Sequence, residues 1–447
     1  MSKIEEFLKE HRIEEVECLV PDMAGIARGK ILPAQKFVQG MRNNGLRIPE
    51  ALFVQTVTGS YPPSDAGVID PATSDVYLVP DPDTICLVPW YPDPTAQVIC
   101  DPYYFDGKPV PFAARHVLKR VLSFFEARKW TPIVAIELEF YLVERHDDPD
   151  YPLRPPIGRS GRRETSRQAY GVDAVNEFDP MFEEIYDFCE AEGIDIDTLT
   201  HEAGAAQMEM NFNHGPALAQ ADQGFLFKRT VREAGLRHQV YATFMSKPMQ
   251  GEPGSSMHIH QSVLDEDGRN IFAHPNGRDS RAFQAYIAGL QKFLPAAMPL
   301  FAPNVNSYRR LMPETDAPIN THWGYDNRTV GLRVPYSDAK SRRVENRVPG
   351  ADANPYLAIA GSLACGYIGM VQNMKPRPPI EGSAYRLAHT LPRTLYDALN
   401  RFSASRPLKD ILGESFVEAV WAVKHTELEA YQQVISSWER EHLLMNV

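Results

Sequence analysis

Cysteine is scarce in this 447-residue chain: Cys18, Cys86, Cys100, Cys189 and Cys365 are odd in number, scattered, and include no CxxC pair. That argues against a disulfide framework and fits reduced, buried thiols in a cytosol. Basic charge is also in short supply, 46 Lys+Arg against 58 Asp+Glu, for a formal net charge of −12. Such a surface has no electrostatic footing for nucleic acid or an anionic membrane, and mildly favours cationic small molecules. Long apolar runs are missing as well. The most apolar stretch, "YLAIAGSLACGYIGMV" (356–371), is short for a membrane span and carries three glycines and a serine, so it reads as a buried core helix. The start, "MSKIEEFLKEHRIEEVE", has charge in place of an apolar leader, and the expectation is a cytoplasmic protein without membrane attachment. Neither GxGxxG nor GxxxxGK[ST] occurs, and there are no repeats or low-complexity tracts.

The length calls for at least two folded units. In residues 1–106, "IEEFLKEH" has helical spacing, "EEVECLV" and "GIARGKILP" form a hairpin about "PDMAG", and "FVQTVTGSYPP" and "SDVYLVPDPDTICLVPW" supply further short strands. A Pro- and Gly-rich stretch then leads into the helical pattern "ARHVLKRVLSFFEARKW", placing the domain boundary at 106/107. In residues 107–447 strands carrying acids or His alternate with helices, one running from Asp179 as cap and Pro180 in the first turn to Gly193. The Arg-rich segment 145–171 reads as a surface loop. The fold class expected is α+β, not a parallel βαβ array.

Four strand-like segments carry chemistry on one face. "AIELEF" presents Glu137 and Glu139 side by side, and "THEAGAAQMEMNFN" presents Glu202 before a Gly turn and Glu209 in an alternating strand. "GSSMHIHQS" aligns Ser256, His258, His260 and Ser262, and "KSRRVENRVPGADANPY" aligns Arg343, Glu345 and Arg347. Singly, each has an ordinary explanation: an edge Glu, a hydrogen-bonded core His, a salt-bridged sheet face. Together, five carboxylates and a His need cations, and two hard divalent ions, Mg²⁺ or Mn²⁺, suit their oxygens. Arginines beside them suit phosphate or carboxylate groups of a substrate. With no nucleophilic Ser or Cys arrangement, the chemistry indicated is phosphoryl transfer.

At these residues the sequence resembles the glutamine synthetase family over nearly the whole chain, with "AIELEF", "HEAGAAQMEMNF", "GSSMHIHQS", "NVNSYRRLMP", "NRTVGLRVP" and "KSRRVENRVPGADANPYL" in order. The resemblance implies a small N-terminal β-grasp domain, a large catalytic domain with a curved antiparallel sheet flanked by helices, and stacked hexameric rings in which a neighbour completes each active site. Carried over by motif, Glu139, Glu202 and Glu209 would hold one metal, and Glu137, His258 and Glu345 the second. His260, Ser262, Arg328, Arg333 and Lys340 would border ATP. Arg343 would stabilise the transferring phosphoryl group, and Gly254, Arg310 and Arg347 would bind L-glutamate. The implied reaction phosphorylates the glutamate side chain and then replaces phosphate by an amine.

The match departs at the amine end. "VTGSYPP" puts Thr58 where the family has an ammonium-binding Asp, "PETDAP" puts Asp316 in place of a flap Glu with Glu314 nearby, and Pro253 replaces an Asn. A lost carboxylate weakens selection for ammonium and favours a primary amine. "PGSSMHIHQS" and the tail of "THWGYDNRTVGLRVPYSDAKSRRVEN" are similar to the γ-glutamylpolyamine synthetase branch. Glu314, Asp316, Tyr61 and Trp323 are the candidates for handling the amine. An ammonium-using enzyme and a non-catalytic relative are the alternatives.

Overall fold

The computed structural model describes residues 2–68, 72, 75–165, 167–313 and 315–447. Two sheets organise them. Strands β1 (Glu15–Pro21), β2 (Ala27–Pro33), β3 (Arg47–Pro49), β4 (Asp75–Pro80), β5 (Cys86–Leu87) and β6 (Thr95–Tyr103) form the first. Its order is β2-β1-β6-β4-β3, with β5 also on β6; β1 runs parallel to β6 and the other pairs are antiparallel. The hairpin about "PDMAG" is present as read, with Cys18 opposite Lys30.

The second sheet holds β7 (Thr131–Glu144), β8 (Ile196–His201), β9 (Gln207–Phe212), β10 (Gly215–Pro216), β11 (Val240–Thr243), β12 (Met257–Leu264), β13 (Trp323–Tyr325), β14 (Leu332–Val334) and β15 (Val344–Asn346). Its order is β13-β14-β15-β12-β7-β9-β8, with β10 and β11 also on β7. All pairs are antiparallel except β13 with β14. Alternate residues of the inner strands (Ile136, Leu138, Phe140, Met208, Met210, Ile259, Val344) have no exposed surface. They pack beneath the sheet, and a Cβ on Gly224 of the helix Ala217–Arg237 would come 2.6 Å from Ile136, so that glycine sets how closely the helix lies.

The helix Pro355–Val371 is buried over nearly its whole length, as its composition required. Asn354 caps it, accepting from Tyr356 N while donating to Asp22 O at 2.9 Å. All five cysteines are free and buried. No helix among the described residues is long and apolar enough to cross a membrane.

Three local expectations need correction. "FVQTVTGSYPP" is not a strand: a 3-10 turn, Glu50–Val54, is followed by a loop in which Thr56 accepts from Ser60 N at 2.9 Å and donates to Ser60 O at 3.0 Å. That hydroxyl meets the backbone groups a ladder would have used. Asp179 is not a cap but the first helical residue, because the chain arrives already wound in a 3-10 turn, Asn176–Phe178. Gly193 does close that helix in the left-handed region, at φ 71°. β6, hidden in a proline-rich stretch, is the central strand of the first sheet.

Candidate active site

The site is written in strand register. Across β7 and β9, Glu139 stands opposite Glu209 and Glu137 opposite Asn211. Across β7 and β12, Glu137 stands opposite His258, and further along the sheet His260 stands opposite Glu345, itself opposite Arg333. Directly opposed side chains on one sheet face start about 5 Å apart, so these pairings bring the acids together without any loop having to fold over.

Above this face lies a cavity of about 380 Å³ lined by Glu137, Glu139, Glu202, Glu209, His258, Gly254, Arg310, Asp316, Arg328, Arg333 and Arg347, among others. An adjoining cavity of about 330 Å³ is lined by Glu137, His260, Ser262, Lys340 and Arg343. Glu345 lies under the floor with no exposed surface. Its carboxylate accepts from Arg333 at 2.8 Å and Arg347 at 2.5 Å. Glu314 lies outside the described residues. Asp316 is exposed at the cavity rim in a left-handed conformation, φ 59°.

Two amine-end candidates are not at this site within the chain. Trp323 is buried away from it, its indole donating to Arg377 O at 2.6 Å, because β13 closes the edge of the sheet. Tyr61 is exposed, and neither it nor Thr58, whose hydroxyl pairs with Thr56 at 3.0 Å, lines either cavity.

The carboxyls divide by partner. Burial raises Glu139 to about 8, and the neighbouring Glu202 adds to it. Burial raises Glu209 well above the usual range, reinforced by Glu137, Glu139 and Glu202, and Glu202 is raised too. Burial also opposes ionisation of Glu137 and Glu345, yet Glu137 is held low by hydrogen bonds from His258 (3.1 Å) and His260 (2.8 Å), and Glu345 by Arg347 with the two histidines. His260 Nδ1 accepts from Arg343 Nε at 3.1 Å, which leaves its Nε2–H for Glu137. A protonated Glu139 can donate to Ser256 Oγ, Ser256 to His258 Nε2 (2.9 Å), and His258 Nδ1–H to Glu137, which satisfies every atom in that row.

Acid oxygens and imidazole nitrogens on hand suit a divalent cation. Glu137, Glu209 and His258 each bring one donor atom within 4.8 Å of the others, as do Glu137, His260 and Glu345. Glu137 belongs to both groups. Glu139 instead takes Ser256 N at 2.9 Å and Gln207 Nε2 at 3.0 Å as donors. The mutual crowding of Glu139, Glu202 and Glu209 is what such a cation relieves.

Gly254 is fixed by close approach: a Cβ there would overlap the Arg310 side chain and sit 2.5 Å from Ser246 O. Arg310 is buried and donates Nη2 to Val348 O; its Nε and that of Arg347 have no hydrogen-bond partner among the described residues. Such unpaired buried donors beside a cavity are available to an anion. Gln207 was missed by the sequence reading although it lies two residues before Glu209, on the same face. It bridges Glu139, Gly254 O (3.1 Å) and Gly204 N (2.9 Å).

Residues 112–443 match the family described as glutamine synthetase, catalytic domain. The chain is 34% identical over 442 residues to gamma-glutamylputrescine synthetase PuuA of Escherichia coli (strain K12), covering 96% of this chain and 92% of that protein. It is 32% identical over 445 residues to glutamate–isopropylamine ligase of a Pseudomonas species, covering 98% and 96%. A solved GmaS/ADP complex superposes with a TM-score of 0.87 at 28% identity, covering 99% of this chain and 100% of that one. The fold, the sheet-borne acid cluster and these matches agree: the chain belongs to the glutamine synthetase family.

Proposed function

We propose that this chain is an ATP-dependent ligase that phosphorylates the γ-carboxylate of L-glutamate and passes the γ-glutamyl group to a primary amine, a polyamine such as putrescine or spermidine. The observation that carries the reading is the run of opposed acids and histidines on β9, β7 and β12, facing the buried guanidiniums of Arg310 and Arg347. Glu139, Glu202 and Glu209 would hold one Mg²⁺ or Mn²⁺, and Glu137, His258 and Glu345 another. Bound there, the ions would neutralise phosphate charge.

In this reading Gly254, Arg310 and Arg347 fix glutamate, while His260, Ser262, Arg328, Arg333 and Lys340 border ATP. A glutamate oxygen attacks the γ-phosphorus and ADP leaves; the amine nitrogen then attacks the acyl carbon and phosphate leaves. Arg343 offsets repulsion between the two anions in the first step. Asp316 takes the proton from the attacking ammonium group, so that a neutral amine reacts. Glu314, its neighbour, is assigned to the same end. Closure must exclude water, which would consume the acyl phosphate.

Two relatives named for amine ligation, and Thr58 in place of a carboxylate, favour an organic amine over ammonium. The same proposal includes homo-oligomeric stacked hexamers in the cytoplasm, with an N-terminal domain at 1–106 lending residues to a neighbour. The exposure of Tyr61 and the division of the sheets between Tyr103 and Thr131 support it.

The test is glutamate-dependent phosphate release from ATP with Mg²⁺ across a panel of amines. Turnover with putrescine or spermidine but not ammonium supports the proposal. Turnover with ammonium alone restores a glutamine synthetase, and no turnover with any amine leaves a non-catalytic relative.

A further inference from the structure

Asp352 lies outside the cavity, yet side chains from two separate segments, Ser246 on one and Asn304 with Ser307 on the other, converge on it. Oδ1 accepts from Ser246 Oγ at 2.5 Å; Oδ2 accepts from Asn304 Nδ2 at 2.8 Å and Ser307 Oγ at 2.6 Å. Gly350 makes room for this meeting, because a Cβ there would overlap Ser246 Oγ and stand 2.6 Å from Asp352 Oδ1.

Each partner leads directly to the substrate pocket. Ser246 O accepts from Ser255 N at 2.9 Å and is the atom against which Gly254 packs. Ser307 belongs to the 3-10 turn Val305–Arg309, and its carbonyl accepts from Arg310 N at 3.2 Å. Asp352 itself follows Arg347 by five residues, in a loop held by Lys228, whose ammonium donates to Ala351 O at 2.6 Å and Ala353 O at 2.7 Å. One carboxylate therefore ties together the chain segments bearing Gly254, Arg310 and Arg347. Hydrogen bonds to a carboxylate are the stronger kind, and three of them converge on this one side chain.

We propose that Asp352 is a positioning residue for the glutamate end of the pocket, setting Gly254 and Arg310 at the spacing the amino acid requires. The inference rests on the ligase reading above. The ATP-bordering side chains His260, Ser262 and Lys340 line the adjoining cavity, and none is a hydrogen-bond partner of Asp352, so a loss here should fall on one substrate.

The experiment is steady-state kinetics on the full chain with ATP, Mg²⁺, glutamate and putrescine, for wild type, Asp352→Asn, Ser307→Ala and Ser307→Thr. Asn retains one acceptor oxygen and turns a donor toward the other hydroxyl or amide. Asp352→Asn should raise KM for glutamate roughly tenfold or more, with KM for ATP within about twofold, since small displacements of positioning groups carry large kinetic costs. Ser307→Ala should move the same way by less, and Ser307→Thr, which keeps the hydroxyl, should stay near wild type. Equal rises in both KM values, or an unchanged glutamate KM, overturn the inference while wild-type turnover leaves the ligase reading intact. Should Asp352→Asn fail to fold, the Ser307 pair decides by the same criterion. Absence of glutamate-dependent turnover in the wild type with putrescine, spermidine and ammonium alike overturns both.

Discussion

Glu137 and His258 stand opposite each other on β7 and β12, with His258 Nδ1 3.1 Å from the Glu137 carboxylate. Because strand faces repeat every second residue, that single pairing also sets the next row, in which Glu139 meets Glu209 on β9 and Ser256 just ahead of β12. The acids are thus placed by backbone hydrogen bonds of a nine-stranded sheet, the most rigid support the fold offers.

Crowding the acids in this way should cost stability. Burial and the neighbours Glu137, Glu139 and Glu202 all disfavour an ionised Glu209. Glu209→Gln removes that charge at nearly constant shape, and is expected to stabilise the chain measured in EDTA by about 0.5–2 kcal/mol. Amine-dependent turnover should fall by roughly a hundredfold or more, as ligand losses in metal sites do. Thermal unfolding with and without Mg²⁺ checks the first statement, and phosphate release the second. A destabilised variant in EDTA would contradict the crowding argument.

Divalent-ion binding should release protons. Glu139, raised to about 8 by burial and Glu202, holds its proton at neutral pH, and a carboxylate must lose it to ligate. Affinity for Mn²⁺ is therefore expected to rise with pH up to about 8 and to level off above it. Calorimetric titration in buffers of differing ionisation enthalpy counts the protons, with about one or more per site occupied expected at pH 7. Binding without proton release would refute the protonated row of Glu139, Ser256 and His258.

Asp316 offers a way to separate the two chemical steps. It sits at the cavity rim, exposed, in a backbone conformation unusual for a residue with a side chain. Asp316→Ala should depress amide formation by about 10²-fold or more, in the range for a lost general base, with a smaller loss in glutamate-dependent ATP turnover. Parallel measurement of product amide and released phosphate is the check. Equal losses would remove the proton-accepting role.

Glu192 predicts the pH dependence of stability. It is buried between the sheets' supporting elements, 2.6 Å from Gln97 Nε2 of β6 and 2.5 Å from Thr230 Oγ1, and burial raises its carboxyl to about 7. The folded state keeps this proton to higher pH than the unfolded chain. Its contribution is therefore complete below about 4.5, declines as pH rises, and is lost above about 7; by linkage it is on the order of 3 kcal/mol. Glu192→Gln mimics the protonated form. The variant should match wild type near pH 4.5 and unfold at a higher temperature at pH 8, which calorimetry at the two pH values measures. An advantage that does not grow between those values would exclude a raised Glu192.

Much of the site was legible in one dimension because a strand's two-residue period converts spacing into geometry. "AIELEF" and "MHIHQS" have to present Glu137 with Glu139 and His258 with His260 on one face, whatever strands lie beside them. Apolar alternates such as Ile136, Leu138 and Ile259 then point that face away from the core. The Gly193 stop and the buried helix at 355–371 were readable for similar local reasons, left-handed backbone in one case and composition in the other. Local rules failed where something nonlocal or a side-chain hydrogen bond took over: Thr56 closing a loop where a strand was expected, and β6, with Pro102 inside it, held as a strand by pairing with β1, β4 and β5.

The amino-acid order alone determined which chemical groups exist and which of them share a strand face, since alternation is built into the extended backbone. Only the tertiary structure decided which strand lies beside which, and hence that Glu137 meets His258 while Glu139 meets Glu209. It also decided that Trp323 leaves the pocket and that Asp352, anonymous in the sequence, draws Ser246, Asn304 and Ser307 together. Register between distant segments depends on packing energy shared over the whole core, and no short stretch of chain contains that information.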